Sequence, residues 1–129
     1  KAPLAHARLE ALKTLNNAGV KTYVFVGPLL PHMYLRPEQI DALLGAIKDA
    51  GTTDIKIEYL NIPKYVRPQL QQYLKDEPSD IQAVYAASQK EIYRKKLEPI
   101  LKDAVERHGL KLRFDEIIHH VGDQALSEN

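Results

Sequence analysis

Three times the chain writes the same passage: a helical run, a glycine, then a β-branched or aromatic run. The glycines close Asn17-Ala18-Gly19, Asp49-Ala50-Gly51 and Arg107-His108-Gly109. A helix that ends on glycine can turn left-handed there without a Cβ clash. A helix between two strands is the crossover that parallel pairing requires. The repeated passage predicts an α/β fold, a partial (βα) barrel fragment of about three parallel strands with helices on one face. The succession opens on a helix with no strand before it, and Lys1-Ala2-Pro3 runs straight into that helix without an initiator Met. We therefore expect the chain to be a single domain that continues a longer barrel upstream.

The strand patterns assign the faces. Residues 20–26 are β-branched or aromatic apart from Lys21, too short a run for an independent helix, and read as a buried strand. Gly27, Pro28 and Pro31 are expected to stop it, because proline gives no N–H to a ladder. In residues 54–60, Ile55, Ile57 and Tyr59 alternate with Lys56 and Glu58; in residues 110–118, Leu110, Leu112 and Phe114 alternate with Lys111, Arg113 and Asp115. A doubly wound sheet would read apolar on both faces. These two strands are apolar on one face only, so helices are expected on that side and a polar cavity wall on the other. The first strand is apolar on both faces and leaves its orientation open.

Among the helices, Ala5, Leu9, Leu12 and Leu15 form one stripe, and Ile40, Leu43, Leu44 and Ile47 another behind Pro37. Pro68 can start a short helix carrying Leu70, Tyr73 and Leu74. Ser79 or Asp80 is a plausible N-cap for the next. Helical spacing then runs through Ile81, Val84, Tyr85, Ser88, Ile92, Leu97, Ile100, Leu101 and Val105. Pro99 lies inside that run, where proline costs about 3 kcal/mol. Either a kink near Lys95 or two helices, with Pro99 in the first turn of the second, is expected. Residues 121–129 read as a flexible tail.

Composition bounds the function. With 129 residues the chain can bury a single core, and a formal net charge of +1 gives no global field for nucleic acid or an anionic membrane. The absence of cysteine removes disulfides, thiolate metal ligands and cysteine nucleophiles. No apolar run is long enough to span a bilayer and no signal peptide is visible, which suits a cytoplasmic protein. Catalytic triads, Walker loops and GxGxxG fingerprints do not occur.

Candidate site residues follow from position. Ligands of (βα) folds gather at the carboxyl ends of the strands, which singles out the loop 27–32 after the first strand, and Glu58 and Asn61 at the end of the second. Lys56, Lys111, Arg113 and Asp115 join Glu58 on the polar face, against the plainer reading of a solvated face with weak ion pairs. His119 and His120 are adjacent, so strand rings there would point to opposite faces, with no third ligand for a metal. His32 reads as a loop residue and His108 as a cation at a helix C-terminus. Tyr85 and Tyr93 among Lys90, Arg94, Lys95 and Lys96 could form a nucleic-acid surface; the plainer reading has the tyrosines packed inward.

The stretch Arg8-Leu-Glu-Ala-Leu-Lys-Thr-Leu-Asn-Asn-Ala-Gly-Val-Lys-Thr-Tyr-Val-Phe-Val-Gly-Pro-Leu-Leu-Pro31 resembles the later half of radical S-adenosylmethionine (SAM) proteins. It looks most like their DNA repair photolyases, related to spore photoproduct lyase. Asp54-Ile-Lys-Ile-Glu-Tyr-Leu-Asn61 and Glu106-Arg-His-Gly-Leu-Lys111 continue the similarity. The resemblance implies a six-stranded partial barrel, and SAM cleaved by a 4Fe–4S cluster on a CxxxCxxC loop to a 5′-deoxyadenosyl radical. It also implies a strand at residues 20–27 that contacts adenosine at Gly27 and Pro28. The GxIxG element of such proteins is partly echoed, by Gly27, with Pro31-His32 in place of the common Pro-Gly.

The chain is accordingly expected to be the C-terminal half-barrel of a radical SAM enzyme, supplying part of the SAM and substrate cavity and inactive alone. Its cofactor contacts would be Gly27, Pro28, Glu58 and Asn61. The cluster would reside elsewhere in the full-length protein, and the partners would be the N-terminal half and a substrate for which the resemblance alone suggests nucleic acid. The alternative is a non-enzymatic α/β module that binds a small anion or a protein. Alone, the chain is expected to hold neither cluster nor SAM firmly, and to self-associate through its open edge and face unless the helices after Ser79 fold back over them.

Overall fold

The computed structural model describes residues 5–119; the first residues, His120 and the expected tail at 121–129 lie outside them. Five helices and three strands follow in the order α1 (Ala5–Asn17), β1 (Tyr23–Leu29), α2 (Pro37–Asp49), β2 (Asp54–Tyr59), α3 (Arg67–Leu74), α4 (Ser79–Ala87), α5 (Glu91–Arg107) and β3 (Lys111–Leu112). The strands form one parallel sheet, β1-β2-β3, open rather than closed into a barrel. Gly19, Gly51 and Gly109 all have positive φ, at 83°, 99° and 68°, so each helix does end on the left-handed turn that its sequence predicts.

The centre of the core is β2. Ile55, Ile57 and Tyr59 are buried and face α2 and α5, whose Ile40, Leu44, Ile47, Leu97, Leu101, Ala104 and Val105 complete one cluster with Leu29, Leu110, Leu112 and Ile117. Among the described residues the opposite face carries no helix. Because α5 packs with α2 and β3 on the core side, the helices after Ser79 do not fold back over that face.

Sequence and structure part at three places. First, β1 does not stop at Gly27. It continues through a cis Gly27-Pro28 bond to Leu29, and its register with β2 slips between Val26, opposite Ile57, and Leu29, opposite Tyr59. An edge strand tolerates a missing N–H at such a bulge.

Second, the third strand is not continuous. After Leu112 the chain leaves the sheet in a turn at Arg113–Asp115, with Phe114 and Asp115 at φ 62° and 54°. It rejoins at Ile118, whose N–H donates to Ile57 O at 2.9 Å and whose C=O accepts from Tyr59 N–H at 2.9 Å. Phe114, expected in the core, is 70% exposed, and Asp115 lies in the turn instead of on a strand.

Third, the long helical run breaks at 88–90, ahead of both expected positions, and Pro99 sits inside α5. Ser88 Oγ donates to Tyr85 O at 2.7 Å, while Gln89 turns its amide onto the loop after β2: Nε2 donates to Leu60 O at 2.8 Å and Oε1 accepts from Ile62 N–H at 2.9 Å. Beyond the break Tyr93 packs inward and Ile92 and Ile100 are left exposed. Pro99 costs less here than in a buried helix, because the carbonyl it frees belongs to exposed Lys95. Two smaller corrections follow: Tyr73 is 73% exposed, and α4 has Pro78 at its N-cap with no side-chain cap bond.

Helix α1 contributes no buried residue. It is tied to the sheet by a polar knot: Asn16 Nδ2 donates to Ala50 O at 2.8 Å and to Thr52 Oγ1 at 2.9 Å, and Thr22 Oγ1 bonds both Asn16 Oδ1 and Thr52 Oγ1. On the far side, Asp41 of α2 accepts from His108 Nε2 at 3.0 Å and from Arg107 at 3.2 Å. The bond from His108, with the Arg107 charge, holds the Asp41 carboxyl below its ordinary range despite some desolvation.

Thr52 is 1% exposed, so deleting its partner leaves a buried hydroxyl short of a bond, at about 1–3 kcal/mol. Asn16→Ala is expected to destabilise the chain by that amount in urea. It should also accelerate amide exchange through α1 while leaving α5 at its native rate; uniform acceleration would show that the knot does not act locally.

Candidate functional site

The side of the sheet away from the helices is built by register. Tyr23 lies opposite Asp54, Phe25 opposite Lys56, and Asp54 opposite Lys111, so these side chains share one face. This settles the orientation that the sequence left open: Val24 and Val26 pack against the core, while Tyr23 and Phe25 stand on the open face, 54% and 48% exposed. Lys56 Nζ lies 4.8 Å from the centre of the Phe25 ring, and the Arg113 guanidinium 4.2 Å from that of Tyr23. Such cation–π contacts at exposed sites contribute about 0.5–1 kcal/mol each. The face is an aromatic floor under cations, with the carboxylates of Asp54 and Glu58 beside it.

Of the residues expected at the site, Gly27, Pro28 and Glu58 come side by side at the carboxyl ends of β1 and β2, because the bulge lies between the pairs Val26–Ile57 and Leu29–Tyr59. Gly27 has a specific reason to be glycine: a Cβ there would run into the Phe25 ring, which covers this stretch of bare backbone. Glu58 is half-buried on the open face, next to the point where Ile118 rejoins the sheet. Asn61 is half-buried two residues past the strand and borders a different hollow, about 340 Å³, shared with Val66, Leu70 and Tyr73 of the next loop and α3. Its Oδ1 is buried with no hydrogen-bond partner among the described residues. Of the other polar-face candidates, Lys56 and Arg113 stand over the aromatic rings and Lys111 is exposed.

Beyond the carboxyl end of β1, the turn at Pro31–Leu35 packs on α4. His32 Nδ1 meets Tyr85 Oη at 3.0 Å with the rings stacked, and Tyr34 meets Tyr93 edge to face at 5.9 Å. Burial raises the Tyr85 phenol and, with Tyr34 and Tyr85 nearby, pushes Tyr93 up to about 12. Both stay protonated at neutral pH and do not serve as bases. These tyrosines pack inward. Arg94 donates to Gln89 O at 3.1 Å and Lys95 pairs with Glu91 at 3.3 Å, so neither belongs to an unpartnered basic stripe.

Two larger clefts were not foreseen. One, about 790 Å³, opens at the amino ends of the strands among Lys21, Lys102, Lys111, Arg113, Asp54, Glu106 and Phe114. The other, about 520 Å³, lies between α3 and α4. The first depends on the excursion after Leu112 and the second on the break at 88–90, and neither turn has a strong local signal. Among the described residues there is no group of three His, Asp or Glu placed to hold a metal, and no helix long and apolar enough to cross a membrane.

Comparison with known proteins leaves the family open. The chain is similar to an uncharacterized protein of Mycobacterium bovis (strain ATCC BAA-935 / AF2122/97) and to uncharacterized proteins of two Mycobacterium tuberculosis strains, CDC 1551 / Oshkosh and ATCC 25618 / H37Rv. Each is 35% identical over 60 residues, a match that takes in 46% of this chain and 18% of the relative. The matched stretch is thus under a fifth of each of those proteins. No family model matches, and no solved structure matches.

The Tyr93 hydroxyl is buried without a hydrogen-bond partner among the described residues. Removing an unsatisfied polar atom relieves its desolvation cost. Tyr93→Phe is therefore expected to leave the urea midpoint unchanged or raise it by the equivalent of about 1 kcal/mol. A loss of that size would mean that the hydroxyl is satisfied after all.

Proposed function

We propose that this chain forms the C-terminal staves of a partial (βα) barrel of the radical SAM type, and that its open sheet face supplies one wall of the SAM and substrate cavity. The observation that carries this reading is the face itself: parallel strands with, among the described residues, helices on one side only, and on the other Phe25, Lys56 and Glu58 beside the Gly27-Pro28 bulge. The partial match to uncharacterized proteins that extend well beyond it is consistent with a role inside a larger protein.

The residues fit the two implied cofactors differently. A 4Fe–4S cluster is held by thiolates, and this chain has none, so the cluster does not fit here and no step is assigned through it. For SAM, the Phe25 ring and the bare backbone at Gly27-Pro28 suit the adenine. The Glu58 carboxylate suits ribose hydroxyls or the ammonium and the Lys56 ammonium suits the carboxylate, while Asn61, on a different hollow, is left out of this wall. When bound in the whole protein, the cofactor supplies carbon-radical hydrogen abstraction; this chain orients it and keeps water from one side.

A second reading, a non-enzymatic module for a small anion, draws on the cations of the 790 Å³ cleft at the amino ends of the strands. An amide-resolved titration of the chain with SAM separates the two. Half a site retains part of the contacts but most of the immobilisation cost. Weak binding is therefore expected, in the range of about 1 mM or weaker, with shifts at Gly27, Leu29 and Glu58. Shifts confined to residues 90–96, or to Lys111 and Arg113, would refute the assignment.

The same face gives the isolated chain a reason to pair. Tyr23 and Phe25 stand half-exposed, and among the described residues the outer edge of β1 has no strand beside it. Burying each ring is worth about 1.5–3 kcal/mol, and a two-fold dimer satisfies edge and face together. Light scattering should report a dimer at high concentration, shifted toward monomer by Phe25→Lys; a monomer throughout would remove self-association from the account.

A further inference from the structure

We infer that the cleft between α3 and α4 is a second, independent ligand site, for a small molecule with an apolar body and one carboxylate. The cleft holds about 520 Å³, within the range of about 300–1,000 Å³ that small-molecule sites occupy. Its apolar lining is Leu70 and Leu74 on one helix, Ala86 and the Tyr85 ring on the other, and buried Ile62 from the loop after β2, with Gln71, Gln82 and Gln89 between them.

Two glutamine side chains pin the cleft open. Gln89 holds the backbone at Leu60 and Ile62, which fixes the floor. Gln82 Nε2 donates to Glu77 O at 2.8 Å and to Lys75 O at 3.4 Å, which fixes the turn joining the two helices. Both devices use a side chain to satisfy backbone groups that regular structure would otherwise satisfy. They hold a cavity of this size between two helices of eight and nine residues, with little left to order on binding.

Charge then selects the ligand. The charged residues lining the cleft are Arg67 and Lys90, both exposed, and neither has an ion-pair partner among the described residues. Arg67 opens α3 and Lys90 lies in the break before α5, so a cation comes from each side of an apolar hollow. An aliphatic or aromatic carboxylate satisfies both features at once, its body removed from water and its head paired with a guanidinium or ammonium. A neutral apolar ligand would leave the cations unused. The short helices and the modest volume favour a small molecule over a partner helix.

The test is an amide-resolved titration of the chain with decanoate, with decanol as the uncharged comparator. Decanoate should shift Leu70, Leu74, Ala86 and Lys90 and bind about tenfold tighter than decanol. The doubly neutralised variant Arg67→Gln/Lys90→Gln, changed only at exposed positions, should lose that advantage while decanol binding stays the same. Ala86→Trp, which fills the hollow from an exposed helix position, should abolish binding of both. Equal affinity for decanoate and decanol in the native chain, unchanged decanoate binding in the doubly neutralised variant, or shifts confined to the amino ends of the strands would overturn the inference.

Discussion

The alternation in β2 is the constraint on which the rest of the molecule depends. Side chains on a strand alternate with a period of two, so a slip of one residue would turn Ile55, Ile57 and Tyr59 to solvent and bury Lys56 and Glu58. Those three apolar residues are 0%, 2% and 6% exposed, and burying each is worth about 1.5–3 kcal/mol. The slip would also put two charges in a core without partners, which costs more than the lost burial. With β2 fixed, parallel pairing on both sides dictates where the crossovers run. It places α2 and α5 over the apolar side and leaves the charged side open.

The parts of this arrangement written locally were legible in the sequence. The glycine turns, the β2 alternation and the inner stripe of α2 each rest on residues within one turn or one strand of one another. What escaped depends on contacts far along the chain. The orientation of β1 could not be read from a run apolar on both faces; the pairing of Tyr23 with Asp54 decides it. The break at 88–90 could not be read from helical spacing, because its cause is the bonding of Gln89 to a loop nearly thirty positions earlier. The failure of β3 has the same character. Leu110 and Leu112 follow their pattern, but Phe114 adopts a left-handed conformation that a bulky residue disfavours. The chain re-enters the sheet only at Ile118, after six steps where β2 takes three. The candidate site divides along the same line. Glu58 was legible from alternation and Gly27 from its position, whereas the aromatic floor that covers Gly27 emerged only with the register.

That floor bears on the chemistry as well as the packing. Two half-exposed rings on an open sheet would ordinarily invite non-specific association. Here each lies under a cation, Phe25 under Lys56 and Tyr23 under Arg113, which covers part of the apolar surface with the stem of a charged side chain. The cover is weak. A ligand with a π face or an anionic group can displace it for about the 0.5–1 kcal/mol each contact is worth, so the face is protected without being closed. Beside it Gly27 has no side chain of its own, and the Phe25 ring lies over its backbone. This combination is what the proposed binding wall would use.

Three of the unfilled surfaces of the chain adjoin one another, although Tyr65, Tyr73, Ile92 and Phe114 are exposed elsewhere. Helix α1 buries nothing completely and leaves Leu15 47% exposed; among the described residues β1 has an unpaired outer edge; and the rings of the open face belong to β1. On the β3 side, by contrast, the re-entry at Ile118 supplies backbone bonds to β2 and Ile117 joins the core. Each exposed edge or stripe is a template for unwanted pairing. Here they adjoin, so one additional strand beside β1, with its own helix against α1, would meet the edge and the stripe together. It would also bring further side chains to the open face. Within the proposed barrel, that is the position of the neighbouring stave, and the cavity wall would then be shared between this chain and the next strand.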